Sequence, residues 1–569
     1  MRYNLIGVIL GILLVPVGRV AQAQPAEPHF YFGVDLSYAN EMDDCGAVYR
    51  ENGEPRDPFV LFSERGANLV RARLWHNPDW TDYSTLDDVK RTFARASAAG
   101  MDTLLDFHYS DNWADPGRQA IPAAWADLAN DDQAMADALY VYTYDVLSDL
   151  HTENLTPAFV QVGNEINPGL LKDGAPQDWP RDALLINAGI RAVRDFAAET
   201  DTNPLIILHV AQPENTGWWF TEAEAHGITD FDVIGISYYP QWSVFSMGDM
   251  GTHVSYLRQR FGKEVMVVET AYGWTRDAVH ETADNILDQG VRGYPFSPDG
   301  QWRFMTDLTQ SLISNGALGV VYWEPAWVST QCSTRWGQGS HWENATFFDF
   351  QNDNEVLEGI NFLNHDAYLY PAQTADGLIE DGYGEPLVRD GVGDVLDSIA
   401  ALDLTELYAT TDENYLSIAT TIAGAVYSEE GSYLYYFDTT HNTQGADVDV
   451  ARRPITVADP FKPEFRLDIK IRNERGTITG SPSFYAWIEG EWEELTFTGS
   501  MAISSSDTSV IEIQLPLVFW GDAPAVQIAV LSTDRGRVHT AGDILGTYFT
   551  PADWSEALVL STFFEFALD

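Results

Sequence analysis

Residues 160–165 read Val-Gln-Val-Gly-Asn-Glu, an apolar run that ends at an Asn-Glu pair. The run has the composition of a buried strand and stops at Gly163, which places Glu165 at the carboxyl end of that strand. A second stretch, residues 265–271, reads Val-Met-Val-Val-Glu-Thr-Ala and places Glu269 in the same way. Either stretch alone is compatible with a strand followed by an ordinary polar turn. Together they predict a pair of strand-end carboxyl groups.

Similar apolar runs recur along the first two thirds of the chain. Strands are predicted at residues 31–36, 69–75, 102–108, 158–164, 205–209, 233–238, 265–270 and 319–323. Amphipathic helical patterns separate them, for example at residues 86–99, 132–150, 181–199 and 301–314. Apolar strands alternating with helices predict a parallel sheet that is buried on both faces. Eight such repeats close an α/β TIM barrel, (β/α)8. An open doubly wound sheet is the alternative, but no Gly-rich nucleotide loop follows the first strand, which favours the barrel.

The sequence changes character after about residue 370. Short alternating strands with Asp, Asn and Gly turns follow, for example at residues 415–421, 432–437, 465–471, 483–487 and 525–530. This spacing predicts a C-terminal antiparallel β-sandwich. The predicted organisation is therefore a signal peptide at residues 1–23, a barrel at 24–370 and a β-sandwich accessory domain at 376–569.

The N-terminus has the pattern of an export signal. Arg2 is followed by an apolar run at residues 5–17 and by the small-residue site Ala21-Gln22-Ala23. The run is too short for a membrane span, so the mature chain is expected to be secreted or periplasmic and to have no membrane partner after cleavage.

The chain is strongly acidic. Its net charge is −53, from 85 Asp and Glu against 32 Lys and Arg. Such a surface repels nucleic acid and anionic membranes and favours neutral partners over polyanions. A salt-adapted habitat is one hypothesis for the excess, and unchanged activity and stability across a salt series would contradict it. The oligomeric state is not predicted.

Polar and aromatic residues concentrate where the predicted strands end. They include Asp35, Arg71, Arg73, His108, Asp111, Asn164, Glu165, Tyr238, Tyr239, Glu269, Trp323 and Glu324. In a barrel these ends meet at one rim, where the catalytic residues of this fold lie. A single residue such as His108 or Trp323 is more often a packing group, whereas convergence of many predicts a site. Two strand-end glutamates suit the paired carboxylates of a retaining glycosidase.

The barrel segments resemble the endo-β-1,4-galactanases of glycoside hydrolase family 53. The most specific matching block is residues 106–116, Asp-Phe-His-Tyr-Ser-Asp-Asn-Trp-Ala-Asp-Pro. Other matching segments are residues 33–35, 70–75, 77–78, 162–166, 235–240, 268–270 and 322–327. The resemblance runs from about residue 31 to residue 363 and implies an arabinogalactan endo-β-1,4-galactanase that acts on β-1,4-galactan. The region from Asp390 to Asp438 resembles carbohydrate-binding sandwich modules of family 9, which leaves carbohydrate binding and bracing of the barrel open as roles.

The same resemblance implies roles for individual residues. Glu165 would be the acid/base and Glu269 the nucleophile. Arg71 would keep Glu269 ionised, and Tyr238 would position the same carboxylate. The remaining candidate substrate-binding residues are His108, Asp111, Trp113, Asp115, Arg118, Asn164, Trp274, Trp323 and Trp327. Among these, Asn164 would bond the sugar 2-hydroxyl, and Trp323 would form the floor of the subsite at the scissile bond.

One loop departs from the family pattern. Some bacterial relatives hold calcium in the loop after strand seven, with closely spaced Asp, His and Asn. Here residues 274–282 read Trp-Thr-Arg-Asp-Ala-Val-His-Glu-Thr, so His280 is retained but Arg276 and Ala278 stand where carboxylates are expected. Because calcium needs several oxygen ligands close together, no metal is predicted there, and no cofactor is predicted for the reaction.

A disulfide between Cys45 and Cys332 is predicted. They are the only two cysteines, and thiols of exported proteins tend to pair. Cys45 lies in the loop after strand one and Cys332 in the loop after strand eight, and these strands become neighbours when the barrel closes. Two free buried cysteines are the alternative.

Two other functions remain open at this point. Another barrel endo-hydrolase, a mannanase or a xylanase, would share the two glutamates. A surface glycan-binding protein with an inactive barrel would not need the Asn164-Glu165 pair and Glu269 together. Assays on galactan, mannan and xylan would separate these possibilities.

Overall fold

The structure of the protein is a computed structural model. It describes residues 30–568, apart from residues 279–284, 336, 380, 427–430, 440–444, 458–460, 475–476, 535, 537 and 548–551. The predicted signal peptide and His280 therefore lie outside the described residues.

The first domain is a closed barrel of eight parallel strands, as predicted. The strands are β1 (Tyr31–Asp35), β2 (Leu69–Leu74), β3 (Asp102–Phe107), β4 (Phe159–Val162), β5 (Leu205–Ala211), β6 (Val233–Ser237), β7 (Glu264–Thr270) and β8 (Gly319–Tyr322). Tyr31 of β1 pairs with Gly319 of β8, which closes the sheet. Each predicted strand is present with its ends shifted by a few residues.

Helices cover the outside of the barrel. They are α1 (Ala39–Asp44), α2 (Pro58–Arg65), α3 (Leu86–Ala98), α4 (Asp132–Thr152), α5 (Trp179–Thr200), α6 (Pro213–Ala225), α7 (Met247–Phe261) and α8 (Pro298–Ser314). Local sequence marks their ends. Asp57 caps α2 by accepting from two backbone N–H groups, and Gly66 ends it in the left-handed conformation. Ser246 and Asp249 form a capping box at the start of α7.

The interior of the barrel has two layers because side chains alternate along each strand. The layer toward the start of the strands is apolar and includes Leu69, Leu104, Phe159 and Ile207. Two positions later on the same face the side chains are polar: Arg71, Asp106, Gln161 and His209. This second layer lies directly beneath the catalytic rim, so the site rests on a buried polar network.

The structure contains the predicted disulfide between Cys45 and Cys332, with a Cα–Cα distance of 5.7 Å. It joins the segment after α1 to the loop after β8. The same two segments are also held by a hydrogen bond from Tyr49 Oη to the Ala326 carbonyl, at 2.8 Å. The loop that carries Trp327 is therefore fixed to the N-terminal part of the barrel.

Replacing both cysteines by serine is expected to lower the free energy of unfolding by about 2–4 kcal/mol. The bridge spans 287 residues, so it restricts the unfolded chain strongly. Denaturant unfolding measures the loss, and the reduced wild-type protein should unfold like the double variant. Peptide mapping under non-reducing conditions is the direct check. Two alkylatable thiols in the native protein would contradict the prediction.

The C-terminal domain is built from antiparallel sheets. One sheet has the strand order Val388–Arg389, Leu404–Thr411, Tyr415–Ile422, Ser509–Pro516 and Ser500–Ser504. The other has the order Glu491–Leu495, Thr477–Ile488, Phe465–Glu474, Gly431–Asp438, Ala525–Asp534 and Asp543–Ile544, with Phe564–Ala567 also paired to Ala525–Asp534. Side chains from both sheets, such as Leu407, Ile418 and Tyr435, share one core. This is the sandwich that the alternating sequence pattern predicts.

The sandwich packs on the side of the barrel, against α7 and α8. Helix α7 contacts strands Thr477–Ile488 and Ser500–Ser504. Asn315 donates to the Gly499 carbonyl at 2.9 Å, and the Tyr415 hydroxyl lies 2.8 Å from Ser314 Oγ. These buried contacts brace the barrel. None of the described helices combines the length and the apolar character needed to cross a membrane.

Candidate active site

A β-bulge in β7 turns Glu269 into the barrel. Ile236 of β6 pairs with Val267, but the next residue, Ser237, pairs with Glu269, so Val268 is the extra residue. Val268 belongs to the apolar interior layer, and Glu269 lines the cavity above it. Without the extra residue, alternation would direct Glu269 away from the interior.

The Arg71 guanidinium is the centre of the buried polar network. Its Nη1 donates to Asp35 at 2.6 Å, and its Nη2 donates to Asp106 and to Asn164 Oδ1, each at 2.9 Å. Nη2 also lies 2.8 Å from Glu269 Oε1. Arg71 is 1% exposed, so it meets these carboxylates away from water, where charge interactions are strong.

Glu165 is held in a different environment. Ser237 Oγ donates to its Oε1 at 2.7 Å, and among the described residues it forms no ion pair. The backbone φ of Glu165 is 46°, a left-handed conformation that is uncommon for residues other than glycine. Residues in this conformation are found most often at functional sites. His209 supports this arrangement, with Nε2 2.7 Å from Ser237 Oγ and Nδ1 2.8 Å from Asn164 Oδ1. Burial lowers the pKa of His209 well below its usual value, so the imidazole is neutral.

The two glutamates differ in how tightly they hold a proton. Burial raises the pKa of Glu165 to about 8, and the negative charge of Glu269 adds to the rise. Burial also raises the pKa of Glu269 to about 7, while the Arg71 guanidinium acts in the opposite direction. Because Arg71 lies 2.8 Å from Glu269 and favours its ionised form, whereas Glu165 has no ion pair among the described residues, Glu269 is the carboxyl group suited to lose its proton. One acid and one carboxylate side by side is the state that acid-assisted nucleophilic chemistry requires.

A cavity of about 680 Å³ opens above the two glutamates. Its lining includes both carboxyl groups and Asn164. Seven aromatic side chains also line it: Tyr38, Trp113, Tyr239, Trp242, Trp323, Trp327 and Trp342. Trp242 is 47% exposed, which leaves its ring face available to a ligand. Flat apolar rings beside a few polar groups form a surface that fits sugar rings.

Arg73 lies beneath the aromatic side chains that line the cavity and contacts two of them. Its guanidinium lies 4.2 Å from the Tyr38 ring centroid and 4.4 Å from that of Trp113, and it pairs with the buried Glu324 at 2.6 Å. Tyr38 in turn stacks on Trp327 with centroids 4.0 Å apart. The aromatic lining of the cavity therefore packs on charged groups inside the barrel.

The structure brings most of the predicted site residues to this cavity. Those in the lining are Trp113, Asp115, Asn164, Glu165, Glu269, Trp323 and Trp327, and Arg71 contacts Glu269 from below. Their roles in binding and catalysis remain predictions.

Besides Arg71 and Tyr238, four predicted substrate-binding residues lie outside the lining. His108 is 2% exposed, and its two ring nitrogens contact Asp106 Oδ2 and the Ala114 N–H, each at 3.0 Å. Asp111 accepts from the backbone of Asn77 and Ala123, so it holds neighbouring loops together. The Arg118 side chain is exposed, and its backbone pairs with that of Asp115.

Trp274 is the fourth of these residues. It is 6% exposed, its Nε1 donates to the Glu343 carbonyl at 3.3 Å, and its ring packs on Phe350. The turn after β7 directs the ring under the loop that follows β8, outside the cavity lining, and its contact with substrate remains a prediction.

The expected position of Tyr238 is wrong. Its hydroxyl donates to the Phe245 carbonyl at 3.2 Å and its side chain is buried outside the cavity. Tyr239 holds the expected place, with its hydroxyl 3.2 Å from Glu269 Oε2. The strand-like alternation continues past the end of β6, so Ser237 and Tyr239 point to the cavity and Tyr238 points away.

Three further residues of the site, Ser237, Trp242 and His209, were not predicted, and Tyr239 was predicted at the rim without a role. Two of these four residues carry a usable signal. Ser237 and Tyr239 are spaced by two at the end of a predicted strand, which puts them on one face. His209 gives no signal apart from its place at the end of strand β5, since a single buried His is most often a packing group.

Replacing Tyr239 by phenylalanine is expected to lower kcat by about 10- to 100-fold, because a hydrogen bond to a charged carboxylate is lost. The matched control is Tyr238→Phe, which removes the same hydroxyl one residue away and should leave kcat within about a factor of two. Steady-state kinetics measure both. Equal losses in the two variants would contradict the assignment of Tyr239.

The loop after β7 is described only in part. Arg276 Nη1 donates to the Asp288 carbonyl at 2.5 Å, and Asp277 Oδ2 accepts from Gln351 at 2.9 Å. Residues 279–284, including His280, lie outside the described residues, so the absence of calcium there remains a prediction.

Fold and site together define a class. A closed parallel barrel that carries two inward-facing glutamates at its carboxyl-end rim, in an aromatic cavity, is the arrangement of barrel glycoside hydrolases.

Comparison with known proteins identifies the family. The sequence model of Glycosyl hydrolase family 53 matches residues 31–363. The chain therefore belongs to this family and is a glycoside hydrolase.

Two curated relatives match the barrel. An arabinogalactan endo-beta-1,4-galactanase of Cellvibrio japonicus is 50% identical over 362 residues, which cover 62% of this chain and 95% of that protein. An endo-beta-1,4-galactanase of Bacillus subtilis is 34% identical over 322 residues, which cover 54% of this chain and 73% of that protein.

A solved structure agrees with the fold. The Ignisphaera aggregans GH53 catalytic domain superimposes with a TM-score of 0.55 and 33% identity, covering 60% of this chain and 98% of that one.

Proposed function

We propose that this enzyme is a secreted retaining endo-glycosidase that hydrolyses β-1,4-galactosidic bonds in galactan and type I arabinogalactan. The observation that carries the proposal is the asymmetry of the carboxyl pair. Glu269 is paired with Arg71 at 2.8 Å, whereas Glu165 accepts a hydrogen bond from neutral Ser237. One carboxylate suited to attack and one acid suited to protonation share a single cavity.

The reaction proceeds in two displacements. Ionised Glu269 attacks the anomeric carbon while Glu165 gives its proton to the departing glycosidic oxygen. A covalent glycosyl-enzyme results, and the leaving chain carries the proton away as its new hydroxyl group. Glu165, now ionised, takes a proton from water, which attacks the anomeric carbon and releases Glu269. Each carboxyl group thereby returns to its starting state.

The choice of galactan rests on the relatives and on the cavity. The curated relatives at 50% and 34% identity are named as β-1,4-galactanases. The aromatic lining suits a chain of neutral sugars, and the net charge of −53 disfavours polyanionic substrates.

The test compares galactan with mannan and xylan and sizes the products. Rapid release of oligosaccharides from galactan alone is expected. Proton NMR of the first product should show the β-anomer, which identifies retention. Preference for mannan or xylan would overturn the substrate assignment, and an α-anomer as the first product would overturn the mechanism.

The dependence of kcat/KM on pH should be bell-shaped, because Glu269 must be ionised and Glu165 protonated. Activity falls as pH drops through the pKa of Glu269 and as pH rises through that of Glu165. The Ser237 hydrogen bond lowers the pKa of Glu165, so Ser237→Ala should move the alkaline limb upward. The acid limb serves as an internal control and should stay in place. A downward shift of the alkaline limb would contradict the assignment of Glu165 as the acid.

Secretion is part of the proposal. The sequence pattern of residues 1–23 and the disulfide between Cys45 and Cys332 both fit an oxidising compartment. Cell fractionation tests it, with the mature protein expected outside the cytoplasm.

A further inference from the structure

Three carboxyl groups meet where the two sheets of the sandwich approach each other. Asp394, Asp403 and Asp543 each place a carboxylate oxygen within 4.8 Å of the other two. Asp403 directly precedes strand Leu404–Thr411 of one sheet, and Asp543 begins an edge strand of the other. Asp394 comes from the segment between strands Val388–Arg389 and Leu404–Thr411 of the first sheet. The cluster therefore lies at the junction of two sheets and a loop.

Two of the three side chains are buried, Asp394 is partly buried, and some of their oxygens lack hydrogen-bond donors. Asp403 is 2% exposed and Asp543 is fully buried. Asp403 Oδ2 accepts from the Gly393 N–H at 2.8 Å, but its Oδ1 is buried and has no hydrogen-bond partner among the described residues. Oδ1 of Asp394 is also buried and has no hydrogen-bond partner among the described residues. A buried carboxylate oxygen without a donor is costly, so a compensating group is required there.

Positive charge is also missing around the three groups. In the described part of the chain, no ion pair joins Lys, Arg or His to any of them. A fourth carboxylate, Asp390, lies close enough to act on two of the three. The negative charges of Asp394 and Asp390 act on both Asp403 and Asp543. Asp543 accepts from the N–H groups of Leu404 and Ile544, but one oxygen each of Asp394 and Asp403 has no donor among the described residues, and no counter-charge pairs with the three groups there.

We infer that Asp394, Asp403 and Asp543 form a calcium-binding site that joins the two sheets of the C-terminal domain. All the donors are oxygens, which is the ligand set of hard divalent cations. Calcium accepts six to eight oxygen ligands in flexible geometry, whereas magnesium keeps several of its waters and demands an octahedron. A largely buried site with three carboxylates favours calcium.

The consequence for the enzyme is structural. An ion held by Asp403, Asp543 and Asp394 ties one sheet and its Asp394 segment to the edge strand of the other sheet. The residues that line the catalytic cavity all lie between Tyr38 and Trp342, so this site is separate from the chemistry. Calcium is expected to raise the stability of the sandwich without entering the reaction.

The experiment uses the full chain after removal of metal with EDTA. Isothermal titration with calcium chloride should show one tight ion per chain. At a calcium concentration of about one hundred times the dissociation constant, the melting temperature should rise by about 5–10 °C. Galactan hydrolysis at a temperature well below melting should change little.

Asp394→Asn is the test variant, because this side chain has no hydrogen bond to the backbone among the described residues and asparagine fits the same space. It should weaken calcium binding by at least about tenfold, since ligand charge sets the affinity. In EDTA the variant should melt at or above the temperature of the wild-type protein, because one repelling charge has gone. This reversal separates loss of a ligand from simple damage to the fold.

Asp522→Asn is the matched control, since Asp522 is an exposed carboxylate of the same domain. It removes one negative charge and should keep the calcium response of the wild-type protein. Absence of tight binding in the wild-type protein would overturn the inference, and so would equal losses in the two variants. An equal response to magnesium would overturn the assignment to calcium.

Discussion

Glu269→Ala is expected to lower kcat on galactan by about 10⁴-fold or more, because removal of a nucleophile eliminates the covalent route. The loss should extend to activated aryl galactosides, since no leaving group can form the glycosyl-enzyme without this carboxylate. The fold should persist, because alanine removes one buried charge and the remaining partners of Arg71 keep it paired. Circular dichroism and thermal melting check that point.

Glu165→Ala should behave differently, and the difference identifies the roles. Hydrolysis of galactan is expected to fall by about 10²- to 10⁴-fold, since its leaving group needs a proton. An aryl galactoside with an acidic phenol needs none, so the enzyme should still become glycosylated. Added azide should then restore turnover and release a β-galactosyl azide.

One control variant and one distance accompany this comparison. Glu222→Ala removes an exposed carboxylate on α6 and should leave activity unchanged. The two catalytic carboxyl carbons should lie about 5–5.5 Å apart in a complex, which is the retaining distance. If azide restored turnover of Glu269→Ala with an α-galactosyl azide as product, and did not restore turnover of Glu165→Ala, the roles of the two glutamates would have to be exchanged.

Arg71→Met is expected to lower the free energy of unfolding by about 3–5 kcal/mol at neutral pH, because it leaves buried carboxylates without their counter-charge. Those carboxylates are Asp35 at 2.6 Å, Asp106 at 2.9 Å and Glu269 at 2.8 Å. Activity should fall as well, since Glu269 would hold a proton at a pH where it must be ionised. Denaturant unfolding and kinetics of the same preparation measure both effects.

The sign of the pH effect tests the cause. Without Arg71 the pKa values of Asp106 and Glu269 in the folded state rise, so the folded state binds more protons than before. The stability loss should therefore shrink as pH falls and grow as pH rises. The matched control is Arg194→Met, since Arg194 pairs with Asp230 and Asp232 near the surface and should contribute no more than about 1 kcal/mol. A loss at Arg71 that is independent of pH would indicate a packing effect.

Both domains were predictable because their patterns are periodic. Apolar strands alternating with amphipathic helices predict the barrel, and the short alternating strands after residue 376 predict the sandwich. Glu165 and Glu269 stand at strand ends in the sequence, and all strand ends of a barrel share one rim. The disulfide followed from the same closure, since β1 and β8 are distant in the chain and adjacent in the sheet.

The direction of the side chains beyond the strand ends is decided by the tertiary structure and could not be predicted from the sequence. The bulge at Val268 decides that Glu269 faces inward, and no local signal marks it. Continued alternation beyond Ser237 gives Tyr239 the place expected for Tyr238, and a turn buries Trp274 beneath a loop. Periodicity predicts direction only while the ladder of hydrogen bonds is regular. Where the ladder ends, packing against distant loops decides which face of the chain meets the cavity.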